Sequence, residues 1–116
     1  MKQTTPQDLV GRPMPAQASH KAKYLASFIA EDGKFTTRLT PSEAFFEAPH
    51  EEARKEGLIH KADGVKMGKN FTTRWALTEE GQIAARAAQE EIETANIEIR
   101  KWADDLVAAK KKQALQ

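Results

Sequence analysis

The segment from Gly57 to Gly81 constrains the fold of this chain more than any other part of its sequence. Gly57 follows a helical stretch, and glycine readily adopts the left-handed conformation that ends helices. Two strand-like runs come next, Leu58–Ala62 and Phe71–Leu77, and turn-forming residues such as Asp63-Gly64 separate them. The second run alternates apolar and polar residues, which is typical of a strand with one buried face. The segment therefore predicts a β-hairpin with a long, basic tip between two helices.

A long final helix follows the hairpin. Thr78 can cap its first turn, and Glu79 and Glu80 come next, where the helix dipole favours acidic side chains. No proline interrupts the chain after this point, so we expect the helix to run to about Lys112. Its apolar residues recur at alternating spacings of three and four, which is the heptad pattern of a coiled coil: Ala85, Ala88, Ile92, Ala95, Ile99, Trp102, Leu106 and Ala109.

This helix is too long to pack wholly on its own domain. A helix of roughly 30 residues spans about 45 Å, whereas a core of about 65 residues has a radius of gyration near 11 Å. The distal half therefore needs another chain or must fold back, and we expect self-association as a two-fold homodimer. The predicted dimer interface comprises Ala88, Ile92, Ala95, Ile99, Trp102 and Leu106.

The part of the chain before the hairpin predicts three helices and a strand. Ser19 can cap a first helix that Gly33 ends, over 19–32, and the β-branched and aromatic run 34–39 favours a short strand. Thr40 begins a capping box with Pro41 at the first helical position. Pro49 predicts the end of that helix and the start of another, over 50–56.

Two short motifs resemble winged-helix bacterial regulators of the MarR and PadR kind. The first is Glu51–Ile59, which ends in Gly-Leu-Ile, and the second is Trp75–Gly81, which contains Leu-Thr-Glu-Glu-Gly. The resemblance covers roughly residues 19–90. It implies an α+β, mainly α fold: a winged helix-turn-helix with a long C-terminal dimerisation helix. The expected organisation is a flexible arm (1–17), a winged-helix domain (18–78), the long helix (79–112) and a tail (113–116).

Charge is unevenly distributed, although the formal net charge is only +1. Residues 58–77 carry four basic side chains and one acidic one, whereas residues 79–109 carry eight acidic and three basic ones. Within a winged-helix domain, the basic hairpin favours binding of double-stranded DNA by a transcriptional regulator. The candidate DNA-binding residues are Lys34, Arg38, Arg54, Lys55, Lys61, Lys66, Lys69, Asn70 and Arg74. Helix 50–56 also contains Glu51, Glu52 and Glu56, which leaves open whether it enters a major groove.

The alternative from another class is a winged-helix protein-interaction module without DNA binding, such as an accessory or inhibitor protein of a mobile element. Enzyme chemistry is not expected, because His50-Glu51 lacks the second histidine of a zinc-protease helix and no other catalytic motif occurs. There is no cysteine, and the three histidines have no metal-ligand spacing. We expect no metal, no cofactor and no membrane association, and a cytoplasmic location.

Overall fold

The computed structural model of the chain describes residues 13–115. This part contains three helices and one three-stranded antiparallel sheet, so the expected α+β class with a long final helix is confirmed. The elements in chain order are α1 His20–Ala26, β1 Arg38–Leu39, α2 Ala44–Lys55, β2 Ile59–Met67, β3 Asn70–Leu77 and α3 Glu79–Leu115. They belong to two compact units: residues 18–92 form the first, and the described part of the second comprises residues 13–17 and 93–115.

The sheet has the order β1-β3-β2, so β3 is the central strand. The β2–β3 hairpin closes with Gly68 and Lys69 between the paired residues Met67 and Asn70. Gly68 has a φ of 62°, and Lys69 has a negative φ, which fits a type II′ turn. Lys61 pairs with Trp75 and Asp63 with Arg74, which leaves Ala62 as the extra residue of a β-bulge.

The core of the first unit lies on one face of this sheet. Tyr24 and Phe28 of the α1 region are fully buried there, and their rings meet edge to face with centroids 5.4 Å apart. Ile59 and Leu77, which are paired across β2 and β3, close the core from the sheet side. The other buried members are small or branched and come from all three helices: Ala22, Leu25, Ala53, Ala85 and Ala88.

A compact junction holds the start of α3 against the end of α2. The Thr78 hydroxyl donates to the Gly57 carbonyl (2.7 Å) and accepts from the Gly81 amide (3.1 Å), so Thr78 caps α3 as predicted. The Thr78 amide donates to the Leu58 carbonyl at 3.0 Å. A Cβ atom at Gly81 would lie 1.8 Å from the Leu58 carbonyl oxygen. The glycine therefore permits a close approach that no side chain would allow.

The prediction of a first helix over 19–32 is right at its start and wrong at its end. The Ser19 hydroxyl accepts from the Ala22 amide at 3.1 Å and caps α1. The helix ends at Ala26, because the Ser27 hydroxyl donates back to the Tyr24 carbonyl and the chain turns. Residues 29–35 form a tight turn instead, in which Ile29 pairs with Phe35. Consequently only Arg38–Leu39 of the predicted strand 34–39 joins the sheet.

The prediction of two helices separated at Pro49 is also wrong. A single helix, α2, runs through Pro49, and it begins at Ala44 rather than at Pro41. Thr40 does not cap it: its amide donates to the Thr73 carbonyl, and its hydroxyl accepts from the Trp75 indole N–H at 2.9 Å. Pro49 lies in the second turn of α2, where its missing amide removes only one backbone hydrogen bond. The structure therefore has one helix in this region, where the sequence predicted two.

The hairpin itself is confirmed, but its strands are longer and its tip shorter than predicted. Asp63-Gly64 lies within β2 rather than in a turn, and the strand continues to Met67. The Asp63 carboxylate lies 3.6 Å from the Arg74 guanidinium of its cross-strand partner. Two residues, Gly68 and Lys69, therefore form the whole turn, and the hairpin is a narrow, extended ladder.

The second unit contains the rest of α3, which runs past Lys112 to Leu115. Ala95 and Ala109 are buried within a single chain, while Ile99, Trp102 and Leu106 are half-buried. The predicted arm, residues 1–17, lies mostly outside the described residues, and the described part of it (13–17) has no helix or strand.

Candidate nucleic-acid interface

The β2–β3 hairpin carries three of the predicted cations that form no ion pair within residues 13–115. Lys61, Lys66 and Lys69 are exposed, as is Asn70 at the turn. None of these three lysines belongs to a salt bridge within residues 13–115. Their charge is therefore available to an anion in solvent.

Trp75 connects the hairpin to α2. It lies in the central strand between two predicted cations, with Arg38 opposite it on β1 and Lys61 opposite it on β2. The guanidinium of Arg54 from α2 lies 5.0 Å from the Trp75 ring centroid, a cation–π distance. The His50 ring contacts Trp75 edge to face, with centroids 5.0 Å apart. Arg54 therefore makes a cation–π contact with this ring, and Arg38 and Lys61 are the cross-strand neighbours of Trp75 at the base of the hairpin.

The predicted arginines are all engaged within the chain. Arg38 donates to the Ser27 hydroxyl and lies 5.7 Å from the Phe46 ring centroid. Arg54 pairs with Glu51 at 3.0 Å, and Arg74 pairs with Asp63. Arg38 is half-buried by these contacts, so it positions β1 against α2. The charges are visible in the sequence, whereas these internal partners leave no sign in it.

Acidic and basic side chains both lie on the outer surface of α2. Lys55 is exposed near the C-terminal end of this helix. The remaining predicted lysine, Lys34, is exposed on the turn before β1. Two of the three acids that complicated the DNA-binding prediction face α1: Lys21 lies 3.3 Å from Glu52 and 2.6 Å from Glu56. The salt bridges raise the pKa of Lys21, its hydrogen bond to Glu56 having the largest effect. These two carboxylates are therefore partly neutralised.

A buried polar pair lies beneath Trp75. The hydroxyl of Tyr24 is 2.6 Å from Nδ1 of His50, and both residues are buried. Burial raises the pKa of Tyr24 to about 12, although the charge of Arg38 opposes this. A tyrosine that keeps its proton donates to Nδ1, which places the imidazole proton on Nε2. Burial also lowers the pKa of His50, so folding favours its neutral imidazole.

His50 also borders a small cleft of about 290 Å³. The other residues around this cleft are Thr40, Pro41, Glu47 and Glu51. Within residues 13–115 no three histidine, aspartate or glutamate side chains are placed to hold a metal ion. The cleft lies between α2 and the loop before it, beside the residues that connect α2 to the hairpin.

The residues predicted for the dimer interface divide between two environments. Ala88 is buried in the core of the first unit, and Ile92 packs against that core. The remaining four, Ala95, Ile99, Trp102 and Leu106, belong to the second unit. The first part of the heptad pattern, which contains Ala88 and Ile92, therefore packs in the core of its own unit. The spacing alone did not predict this second role.

Sequence reasoning missed the two apolar side chains at the hairpin tip. Phe71 is 76% exposed and Met67 is 54% exposed. The alternation of apolar residues in β3 put Phe71 on the same face as Trp75 and Leu77, and that assignment of face is right. Phe71 nevertheless lies beyond the core, close to the turn, where nothing in the first unit covers it.

Comparison with known proteins identifies no relative of this chain. No protein family matches the chain, no curated protein is detectably similar to it, and no solved structure resembles it at a significant level. Over residues 13–115, none of the helices combines the length and the apolar character that crossing a bilayer requires.

Proposed function

We propose that this protein is a winged-helix DNA-binding protein that uses its β2–β3 hairpin, the wing, as the main contact with double-stranded DNA. The observation that supports this most strongly is a set of three exposed lysines on one extended hairpin that form no ion pair with any other described residue: Lys61, Lys66 and Lys69. Lysines placed in this way neutralise phosphates and release counterions, which is the sequence-independent part of DNA affinity.

Helix α2 has a secondary role in this proposal. Its exposed cations, Arg54 and Lys55, follow its buried positions and lie toward its C-terminal end. Arg54 stacks on Trp75 of the hairpin, so α2 contributes a cation at the base of the wing. Glu51 accepts from Arg54 and reduces the net charge there, and the wing therefore provides most of the electrostatic attraction.

The test is the salt dependence of binding to random-sequence duplex DNA. We expect a linear log–log decrease in affinity with salt. We expect the double variant Lys66→Ala, Lys69→Ala to reduce the slope by roughly 2, about one unit for each phosphate that is no longer neutralised. The matched control is Lys110→Ala, Lys111→Ala, which removes two exposed lysines from α3 and leaves the hairpin intact. Equal slopes for the two double variants would argue against the wing as the contact.

A second candidate function is a protein-interaction module without DNA binding. The exposed side of α2 favours it, because Glu47 and Glu51 lie there and would repel phosphates. In that case no salt-dependent binding to duplex DNA appears even at low ionic strength. The salt titration therefore distinguishes the two functions directly.

A further inference from the structure

The tip of the β2–β3 hairpin exposes more apolar surface than a solvent-facing turn requires. Phe71 is 76% exposed, the highest value among the exposed large apolar side chains of the described residues, and Met67 is 54% exposed. Met67 directly precedes the two-residue turn at Gly68 and Lys69, and Phe71 is the second residue after it. Exposed aromatic and thioether side chains grouped at one projecting point are a feature of interaction sites.

The strand register fixes how these side chains are arranged. Lys66 pairs with Phe71, so these two share one face of the hairpin, and Met67 pairs with Asn70 on the other face. The two apolar side chains therefore lie on opposite faces. Each has a polar cross-strand neighbour, and Lys69 lies in the turn between them. The tip is apolar on both sides and basic along its edge.

We propose that this tip enters the minor groove of DNA as an apolar wedge, with Phe71 unstacking a base step and bending the duplex. The inference rests on the proposed DNA-binding function and extends it to a mode of recognition. Lys66 and Lys69 neutralise the phosphates that border the groove, Phe71 enters the base step, and Met67 contacts the groove wall on the other face of the hairpin. A groove encloses the tip from both sides, as the placement of the two apolar side chains requires.

The energetics of such a wedge determine which DNA it selects. Unstacking a base step costs a few kcal/mol, and pyrimidine–purine steps such as TA unstack more readily than A-tracts do. The wedge therefore selects sites by deformability and prefers a duplex that contains a flexible step or a mismatch. A bilayer surface suits the tip less well, because a flat surface meets one face of the hairpin and leaves the other apolar side chain in water.

The experiment uses the full chain and duplexes of about 30 base pairs, a length over which bending is measurable. The duplexes carry a fluorophore at each end, and the centre is a TA step, a mismatch or an A-tract. We expect binding to shorten the end-to-end distance of the first two. We expect Phe71→Ala to abolish this shortening and to weaken binding to them about tenfold, as removal of one stacked aromatic does. Affinity for the A-tract duplex and the salt slope are expected to change little.

Two variants control for other causes. Phe71→Leu keeps an apolar side chain at the tip and is expected to retain bending. Ile83→Ala removes a similarly exposed apolar side chain from α3, and we expect it to bend DNA as the unaltered chain does. Because both Phe71 and Ile83 are exposed, circular dichroism should show the same folded spectrum for all variants.

The possible results distinguish an apolar wedge from DNA binding without a wedge and from binding to a lipid surface. Salt-dependent binding without any change in end-to-end distance overturns the wedge and leaves the proposed DNA-binding function in place, as does a Phe71→Ala variant that still bends DNA. Absence of salt-dependent binding overturns both. Phe71-dependent binding to phosphatidylserine-containing vesicles, with no bending of DNA, assigns the tip to an anionic lipid surface and overturns the wedge.

Discussion

Gly81 illustrates at the scale of a single residue how closely two backbone segments approach in this fold. Its position in the first turn of α3 faces the Leu58 carbonyl, and an added Cβ would lie 1.8 Å from that oxygen. Alanine normally stabilises a helix relative to glycine by about 1 kcal/mol. Here the contact is with backbone, which has no alternative rotamer and can yield only if the junction between α2 and α3 opens.

We expect Gly81→Ala to reduce the free energy of unfolding by about 2 kcal/mol or more, within the range of overpacking substitutions. Urea denaturation followed by circular dichroism measures the change. The matched control is Gly64→Ala in β2, where an added Cβ would lie 3.9 Å from the Thr72 carbonyl oxygen and fits without a clash. Equal stability of the two variants would contradict the close approach.

The buried pair Tyr24–His50 gives a second prediction at this scale, concerning pH. Because burial lowers the pKa of His50 in the folded chain, the unfolded chain takes up the proton first as pH falls. Stability is therefore complete above the unfolded histidine pKa of about 6.5 and decreases as the pH falls from there toward the lowered pKa of the folded state.

Urea unfolding midpoints between about pH 7.5 and pH 5 measure this decrease, which covers the interval below the unfolded histidine pKa. The double variant His20→Gln, His60→Gln replaces the two exposed histidines, and we expect the decrease to persist in it. If the double variant has a flat profile, the dependence arises from the exposed histidines rather than from His50.

At the scale of secondary-structure elements, the sequence was most informative where local chemistry acts alone. Ser19 and Thr78 cap their helices as predicted, because each hydroxyl accepts from an amide in the first turn that follows it. Thr40 has the same local pattern and does not cap a helix. Its hydroxyl bonds to Trp75 and its amide to Thr73, so a contact with the central strand replaces the cap.

Pro49 shows the limit of a second local rule. Proline usually ends a helix, and the sequence therefore predicted two short helices on either side of it. In the structure Pro49 is buried in α2, next to the buried His50 and one turn before Ala53. Packing of this face against the core stabilises the continuous helix by more than the absence of one backbone hydrogen bond destabilises it. Only the tertiary environment decides this balance.

The candidate site was predictable in its charges and not in its contacts. The sequence placed Lys61, Lys66 and Lys69 on a hairpin, and the structure agrees. It could not show that Arg38 is held by Ser27 and Phe46, since the turn at 29–35 and the start of α2 bring those residues to Arg38 and neither matches a helix or strand spacing. Nor could alternation reveal that Phe71 lies past the edge of the core, because a period of two identifies the face of a strand but not how far the core extends beneath it.

At the scale of the whole molecule, self-association through α3 stays a prediction. The predicted interface residues of the second unit form an apolar seam, and each is half-buried or buried within one chain: Ala95, Ile99, Trp102 and Leu106. The surface that they leave open is therefore smaller than the heptad pattern alone suggests. In the second unit, a dimer through this helix would use the exposed parts of Ile99, Trp102 and Leu106.

We expect Ile99→Asp to convert a dimer to a monomer, because it places a charge in an apolar seam. Sedimentation equilibrium measures the mass. Ile97→Asp is the matched control: it makes the same chemical change on the same helix, at a side chain that is 64% exposed and outside the seam. If neither variant alters the mass, or if the unaltered chain is already monomeric, the seam assignment is wrong.

The β-bulge at Ala62 determines which face of the hairpin each later residue of β2 occupies. Without the bulge, Ala62 would lie opposite Arg74, and every residue of β2 after Ala62 would move to the other face. Lys66 would no longer share a face with Phe71, and the two-residue turn would have to be rebuilt. A single unpaired alanine, far from any charge at the tip, therefore sets which chemical groups the tip presents together.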